Sequence, residues 1–208
     1  MNGMPTILIF VAALAASCTL AGTSSHVRPA SDPITEVNSA THEFERNNIP
    51  LKLPLVEPSI VVNKAARRLM LYSNGELVRT YRVGLGLDPT GDKVREGDRR
   101  TPEGTFYVFT KNDKSAYYLS LALSYPNSAA AERGFRDRLI DGEQRDQILN
   151  AIRQKAAPPQ HTALGGEIYI HGNGSERDWT WGCVALDDND IRELFDAVPV
   201  GIKVKINP

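Results

Sequence analysis

The chain has 208 residues, 41% hydrophobic and 24% charged, with 24 Lys and Arg against 25 Asp and Glu, which suits one globular domain with modest extensions rather than two domains. A formal net charge of -1 with no basic cluster gives no electrostatic footprint for nucleic acid. Beyond the N-terminal segment no stretch is apolar for the roughly 20 residues that a membrane span needs.

Ile7 to Ala16 is apolar and no charged side chain precedes Arg28, the length of a signal-peptide core rather than of a span. Leu14-Ala15-Ala16-Ser17-Cys18 resembles a bacterial lipoprotein signal, in which the cysteine is lipidated and becomes the mature N-terminus. Cleavage after Thr19-Leu20-Ala21 is the other route. Residues 1–21 are therefore read as an export signal with Cys18 as the candidate lipidation site, and residues 22–57, rich in Ser, Thr, Asn and Pro, as a linker. The expected location is the bacterial periplasm or cell envelope, with the membrane touched only through the N-terminal signal or lipid. Either route removes Cys18 from disulfide chemistry. Cys183 is then an unpaired thiol in an oxidising compartment, either inert and buried or retained for its reactivity.

The folded domain is read over 58–208. Ile60-Val61-Val62 opens a strand, and Arg67 to Tyr72 forms a second. Asn74-Gly75 then separates it from the run LVRTYRV, the strongest short-range hairpin signal. Gly84 to Gly91 (GLGLDPTG) is a loop, since no strand-to-helix phosphate-binding pattern surrounds it. Strands follow over Thr105 to Thr110 and Tyr118 to Leu123. Residues 141–156 carry acids in front, bases behind and Ile148, Leu149 and Ile152 on one side, which suits an amphipathic helix. Glu167 to His171 is a strand, Asp187 to Ala197 a helix, and Ile202 to Ile206 alternates as a closing strand. Strands dominate and are hairpin-linked, so the expected fold class is mainly β, an antiparallel sandwich-like arrangement with one or two attached helices.

Alternation in Glu167 to His171 sets Tyr169 and His171 opposite Ile168 and Ile170. Gly172-Asn173-Gly174-Ser175 permits sharp turns, and Cys183 follows 12 residues after His171. A cysteine nucleophile needs a base, and acyl transfer needs preorganised donors for the developing oxyanion. His171 could supply the base, and the amides around Gly182 and Cys183 the donors. Two such residues at this spacing also occur without catalysis.

IHG at 170–172 followed by DWTWGCVAL at 178–186 is similar to the active-site signature of the L,D-transpeptidase catalytic domain, also called YkuD-like. Arg100 to Phe106 (RTPEGTF) and Leu123 to Asn127 (LSYPN) resemble two further elements of that family. The resemblance spans about 58–206 and implies a β-rich, sandwich-like fold and a nucleophilic cysteine acting on peptidoglycan stem peptides. It implies Cys183 as nucleophile, His171 as general base and acid, Gly182, Thr180 and Gly172 as supports of the oxyanion site and motif, and no cofactor. Trp181 and Ala185 stand where the common form has His and Arg or Asn. The DWTxGCxAL pattern looks like a subgroup that includes enzymes hydrolysing the link between peptidoglycan and a wall-attached lipoprotein. The implied activity is thus L,D-transpeptidation, with a hydrolase (carboxypeptidase or lipoprotein-releasing amidase) or a non-catalytic wall-binding protein as alternatives.

Trp179, Trp181, Asp178 and Tyr125 are candidates for the substrate cleft, the indoles serving equally as core. Arg99 and Arg100 are read as structural at the cleft's edge, and His26, His42 and His161 as bystanders. His171, Asp178 and Cys183 do not complete a zinc pattern, so no metal site is expected.

Overall fold

The computed structural model describes residues 49–208; residues 1–21, read as an export signal with Cys18, and most of the segment read as a linker lie outside them. Strands β1 (Ser59–Asn63), β2 (Arg68–Ser73) and β3 (Glu76–Arg82) form an antiparallel meander. In β1 every second residue is buried, placing Ile60 and Val62 in the core, as the two-residue period of a one-sided sheet requires. Asn74 and Gly75, at φ +50° and +78°, make the two-residue turn between β2 and β3. Positive φ at both positions is what a turn matching the strands' twist needs.

Next come β4 (Gly104–Ser115), β5 (Tyr118–Leu123), β6 (Tyr169–His171), β7 (Val184–Ala185) and β8 (Lys203–Asn207). The sheet order is β3-β2-β1-β8-β4-β5-β6-β7. β4 serves both halves: Gly104 to Tyr107 pairs with β8, and beyond an irregularity at Val108 the strand pairs with β5. Two pairs, β1 with β8 and β6 with β7, are parallel, so the sheet is mixed and curled, mainly β as expected. The segment after β3 crosses to the far edge, where Gly84 bridges Ala185 and Gly86 bridges Thr180. An ideal Cβ at Gly84 would lie 2.3 Å from Arg177 O, and one at Gly86 2.1 Å from Arg99 O. Only glycine permits these approaches.

Three helices, α1 (Ser128–Arg136), α2 (Gly142–Arg153) and α3 (Asp188–Ala197), are present among the described residues. Asn127 caps α1 by accepting Ala130 N–H, and Asp141 with Gln144 forms a capping box on α2, satisfying amides that have no partner within the helix. The sequence reading assigns no element over Ser128–Arg136, where Gly134 stands within the last turn of α1. Packing accounts for it: a Cβ at Gly134 would meet Leu164 Cδ2 at 2.5 Å. α1 and α2 share a small core of Ala131, Ile140, Ile148 and Leu164, whereas α3 lays Ile191 and Leu194 on the main core with Ile170, Val184, Val204 and Ile206. Among the described residues no helix is long and apolar enough to cross a membrane.

Candidate active site

The parallel pairing of β6 with β7 sets Ile170 opposite Val184 and His171 opposite Ala185. Ile170 and Val184 are fully buried in the core. Strand alternation therefore turns Tyr169, His171 and the residue preceding Val184, Cys183, toward the other face. Glu167, expected in the strand, takes φ +52°, and the chain becomes regular only at Tyr169.

The Cys183 sulfur lies against the backbone of this segment. Tyr169 N–H points at Sγ across 3.4 Å, and the thiol donates toward Glu167 O at 3.5 Å. Burial pushes the thiol pKa up to about 11, against the lowering effects of the Tyr169 amide and the Lys93 charge. The turn before it is tightly held. Thr180 Oγ1 accepts Gly182 N–H (3.1 Å) and donates to Cys183 O (2.8 Å), while Gly182 adopts φ +133°. The amide of Gly182 is thus occupied, which corrects its expected part as an oxyanion donor. Among the described residues the Cys183 amide has no acceptor.

His171 is 2% exposed. Its Nδ1 lies 2.8 Å from Gly172 O. A carbonyl only accepts, so Nδ1 carries the hydrogen and Nε2 is the basic nitrogen. Burial lowers the imidazole pKa, opposed by this hydrogen bond. Tyr117 stacks on the ring at 4.6 Å between centroids, and Trp179 meets it edge-on at 5.5 Å. The loop after His171 is fastened to the start of α3: Asp187 Oδ1 accepts Ser175 N–H and Oγ–H, and Asp188 Oδ1 accepts Asn173 N–H. A Cβ at Gly172 would lie 2.5 Å from Asp188 Oδ1 and 3.0 Å from Tyr117 O, so close packing favours glycine there.

Beside His171 a cavity of about 680 Å³ is lined by Tyr117, Asn173, Gly174, Glu176, Arg177 and Trp179. Trp179 lines this cavity. Its indole N–H donates to Gly174 O at 3.1 Å. Trp181 is 64% exposed, with the Arg99 guanidinium 4.8 Å from its ring centre. Two other cleft candidates are structural. Tyr125 is 1% exposed in the main core, beside Phe106, and its hydroxyl donates to Leu164 O. Asp178 is held by Arg67 Nε and Nη2 (2.7 Å at the closest) and by Leu85 N–H, its carboxylate spent on joining the β1–β2 turn to the segment after β3. Tyr117, absent from the sequence reading, sits in the β4–β5 turn, where nothing in KSAYY marks it as a neighbour of His171. Among the described residues no group of three or more His, Cys, Asp and Glu is gathered closely enough to hold a metal ion.

Comparison with known proteins matches residues 57–206 to the L,D-transpeptidase catalytic domain (YkuD). A Bacillus subtilis (strain 168) protein named "Putative L,D-transpeptidase YqjB" is 26% identical over 155 residues, 72% of this chain and 71% of that protein. Among solved structures, the helical cell shape determining protein Pgp2 (K307A mutant) of Campylobacter jejuni aligns with a TM-score of 0.51 at 24% identity, covering 80% of this chain and 52% of Pgp2. The L,D-transpeptidase of Xylanimonas cellulosilytica aligns with a TM-score of 0.46 at 16% identity, over 85% of this chain and 70% of that one. With its curled, mainly β fold and the family match across the whole of that sheet, the chain belongs to the YkuD family of L,D-transpeptidase catalytic domains.

Proposed function

We propose that the chain is a cysteine acyltransferase acting on peptidoglycan stem peptides, with Cys183 as nucleophile and His171 as general base and acid. The observation that carries this reading is the β6–β7 register, which turns Cys183 and a His171 of fixed tautomer to one face of the sheet. At rest the thiol keeps its proton near Glu167 O and the imidazole is neutral. Rotation of Cys183 about χ1 would bring Sγ toward Nε2, and proton transfer would accompany attack. Sγ bonds to the carbonyl carbon of the third stem residue while the Cys183 amide receives the oxyanion. Collapse breaks the C–N bond to the terminal D-Ala, whose amine takes the proton from His171. An amine from another stem or from a lipoprotein then attacks the thioester and gives its proton to His171; the C–S bond breaks, the leaving sulfur takes that proton, and the thiol and neutral imidazole are restored with a new amide formed. Water in that step gives hydrolysis instead. The export signal read over 1–21, with or without lipid on Cys18, would bring the domain to this substrate in the cell envelope.

The test incubates the full chain and a Cys183→Ala variant with disaccharide-tetrapeptides and with imipenem, followed by mass spectrometry. A covalent adduct on the wild type alone and joined stems support transpeptidation. Released D-Ala and shortened stems without joined products assign hydrolysis. A folded wild type giving neither adduct nor product would refute the enzyme reading in favour of a wall-binding protein.

A further inference from the structure

We propose that residues 98–101 form a strap that positions the nucleophile, with Asp98 as its anchor and Thr101 as its point of contact; this deepens the assignment of Cys183 and rests on it. Three consecutive residues of the strap meet three consecutive residues of the nucleophile turn. The Arg99 guanidinium lies over the Trp181 ring at 4.8 Å. Arg100 O would be 2.7 Å from a Cβ on Gly182, so the carbonyl fills the space that the missing side chain leaves. Thr101 Oγ1 reaches Cys183 O at 3.4 Å.

The direction of that last bond follows from hydrogen counting. Thr101 Oγ1 already accepts Gly86 N–H at 2.9 Å, and a hydroxyl has a single proton to give. That proton goes to Cys183 O, which also receives the Thr180 hydroxyl at 2.8 Å. Both lone pairs of the carbonyl are then filled, fixing the peptide plane that follows Cys183. With Gly182 N–H tied to Thr180 Oγ1, the planes on either side of the nucleophile are held, and with them the directions of its amide and its Cα–Cβ bond.

The strap is held at its other end by one carboxylate. Asp98 Oδ1 accepts Lys93 Nζ–H (2.8 Å) and Arg100 N–H (3.1 Å); Oδ2 accepts Val94 N–H (2.7 Å) and Arg95 N–H (3.1 Å). The Lys93 and Asp98 side chains are only 2% and 7% exposed, and Lys93 Nζ also donates to Arg95 O. A buried, fully satisfied charge pair of this kind defines one geometry more firmly than it adds stability. Asp98 thus determines where Arg100 and Thr101 fall, although it touches neither the sulfur nor any substrate.

The decisive variants in the full chain are Thr101→Val, which keeps the shape and removes the hydroxyl, Thr101→Ser, which restores it, and Asp98→Asn. Three readouts are compared: hydrogen exchange of the peptide spanning 181–184, acylation by imipenem, and alkylation by iodoacetamide, which needs only an accessible thiol. Loss of one hydrogen bond predicts about tenfold faster exchange at 181–184 and about tenfold slower acylation in Thr101→Val. Exchange in β1 and β8 and alkylation should change less than about threefold, and Thr101→Ser should recover both losses. Asp98→Asn should repeat the pattern and decides the matter if Thr101→Val does not fold. Unchanged exchange and acylation in a folded variant would overturn the strap's role. A wild type that imipenem never acylates would instead count against the acyl-transfer reading, while exchange still decides whether the strap holds the turn.

Discussion

Burial acts in opposite senses on Cys183 and His171, raising the thiol to about 11 and lowering the imidazole. Both changes favour the neutral forms, so the resting site is a thiol beside an imidazole rather than a thiolate–imidazolium pair. Iodoacetamide alkylation of the wild type should therefore keep rising about tenfold per pH unit from pH 7 to pH 10, past the ordinary thiol value near 8.5. A plateau at neutral pH would show an ion pair instead. Imipenem acylation, which needs neutral His171, should hold its rate below pH 6.5 and fail only at the lowered imidazole value. Strand alternation and the glycine-rich turn made Cys183 and His171 candidates in the sequence, and the likeness of IHG and DWTWGCVAL to the family signature set them apart from other such pairs. The occupied Gly182 amide and the burial of Tyr125 were not legible there, since each depends on a partner, Thr180 Oγ1 or Leu164 O, whose approach only the folded backbone defines.

Among the elements, α3 carries a titration of its own. Burial, then Asp187 and Glu193, raise Asp190 to about 6. The folded state binds this proton more tightly than the unfolded chain, so the contribution to stability is present below the unfolded value near 3.9 and is lost as pH rises through about 6. Asp190→Asn should remove that dependence and stabilise the protein at pH 7 by about 1 kcal/mol, after allowance for solvent screening and the favourable helix N-terminus. Urea denaturation at pH 4.5 and pH 7 measures it; an equal loss at both values would contradict the sign. At the sheet's closing seam, Gly86→Ala drives a methyl group into Arg99 O, with an expected cost of about 2–4 kcal/mol in thermal or urea melts. Strands β1 to β3, the Asn74-Gly75 turn, α2 and α3 follow from periodicity, turn chemistry and charge placement. α1 does not, because Gly134 within it answers to the approach of Leu164, and the shortness of β6 does not, because Glu167 leaves the extended region.

For the whole molecule, mainly β character was readable from strand count and turn chemistry, but the parallel pairing of β1 with β8 was not. It joins residues near opposite ends of the domain, and no local pattern encodes a partner so distant. The seam between Gly84 and Ala185 is of the same kind. Among the described residues β8 is the one strand that pairs with both the β1–β3 meander and β4. Removing residues 203–208 should therefore abolish the cooperative melt rather than lower its midpoint by a few degrees, as calorimetry would show.

The placement of β8 also orders events during folding. The last of the described strands fills the middle of the sheet. Until it docks, the facing edges of β1 and β4 have no partner and each half is limited to its own hairpins. A chain caught in that state offers two open edges to any stray strand, so β8 closes the fold and protects it in the same step.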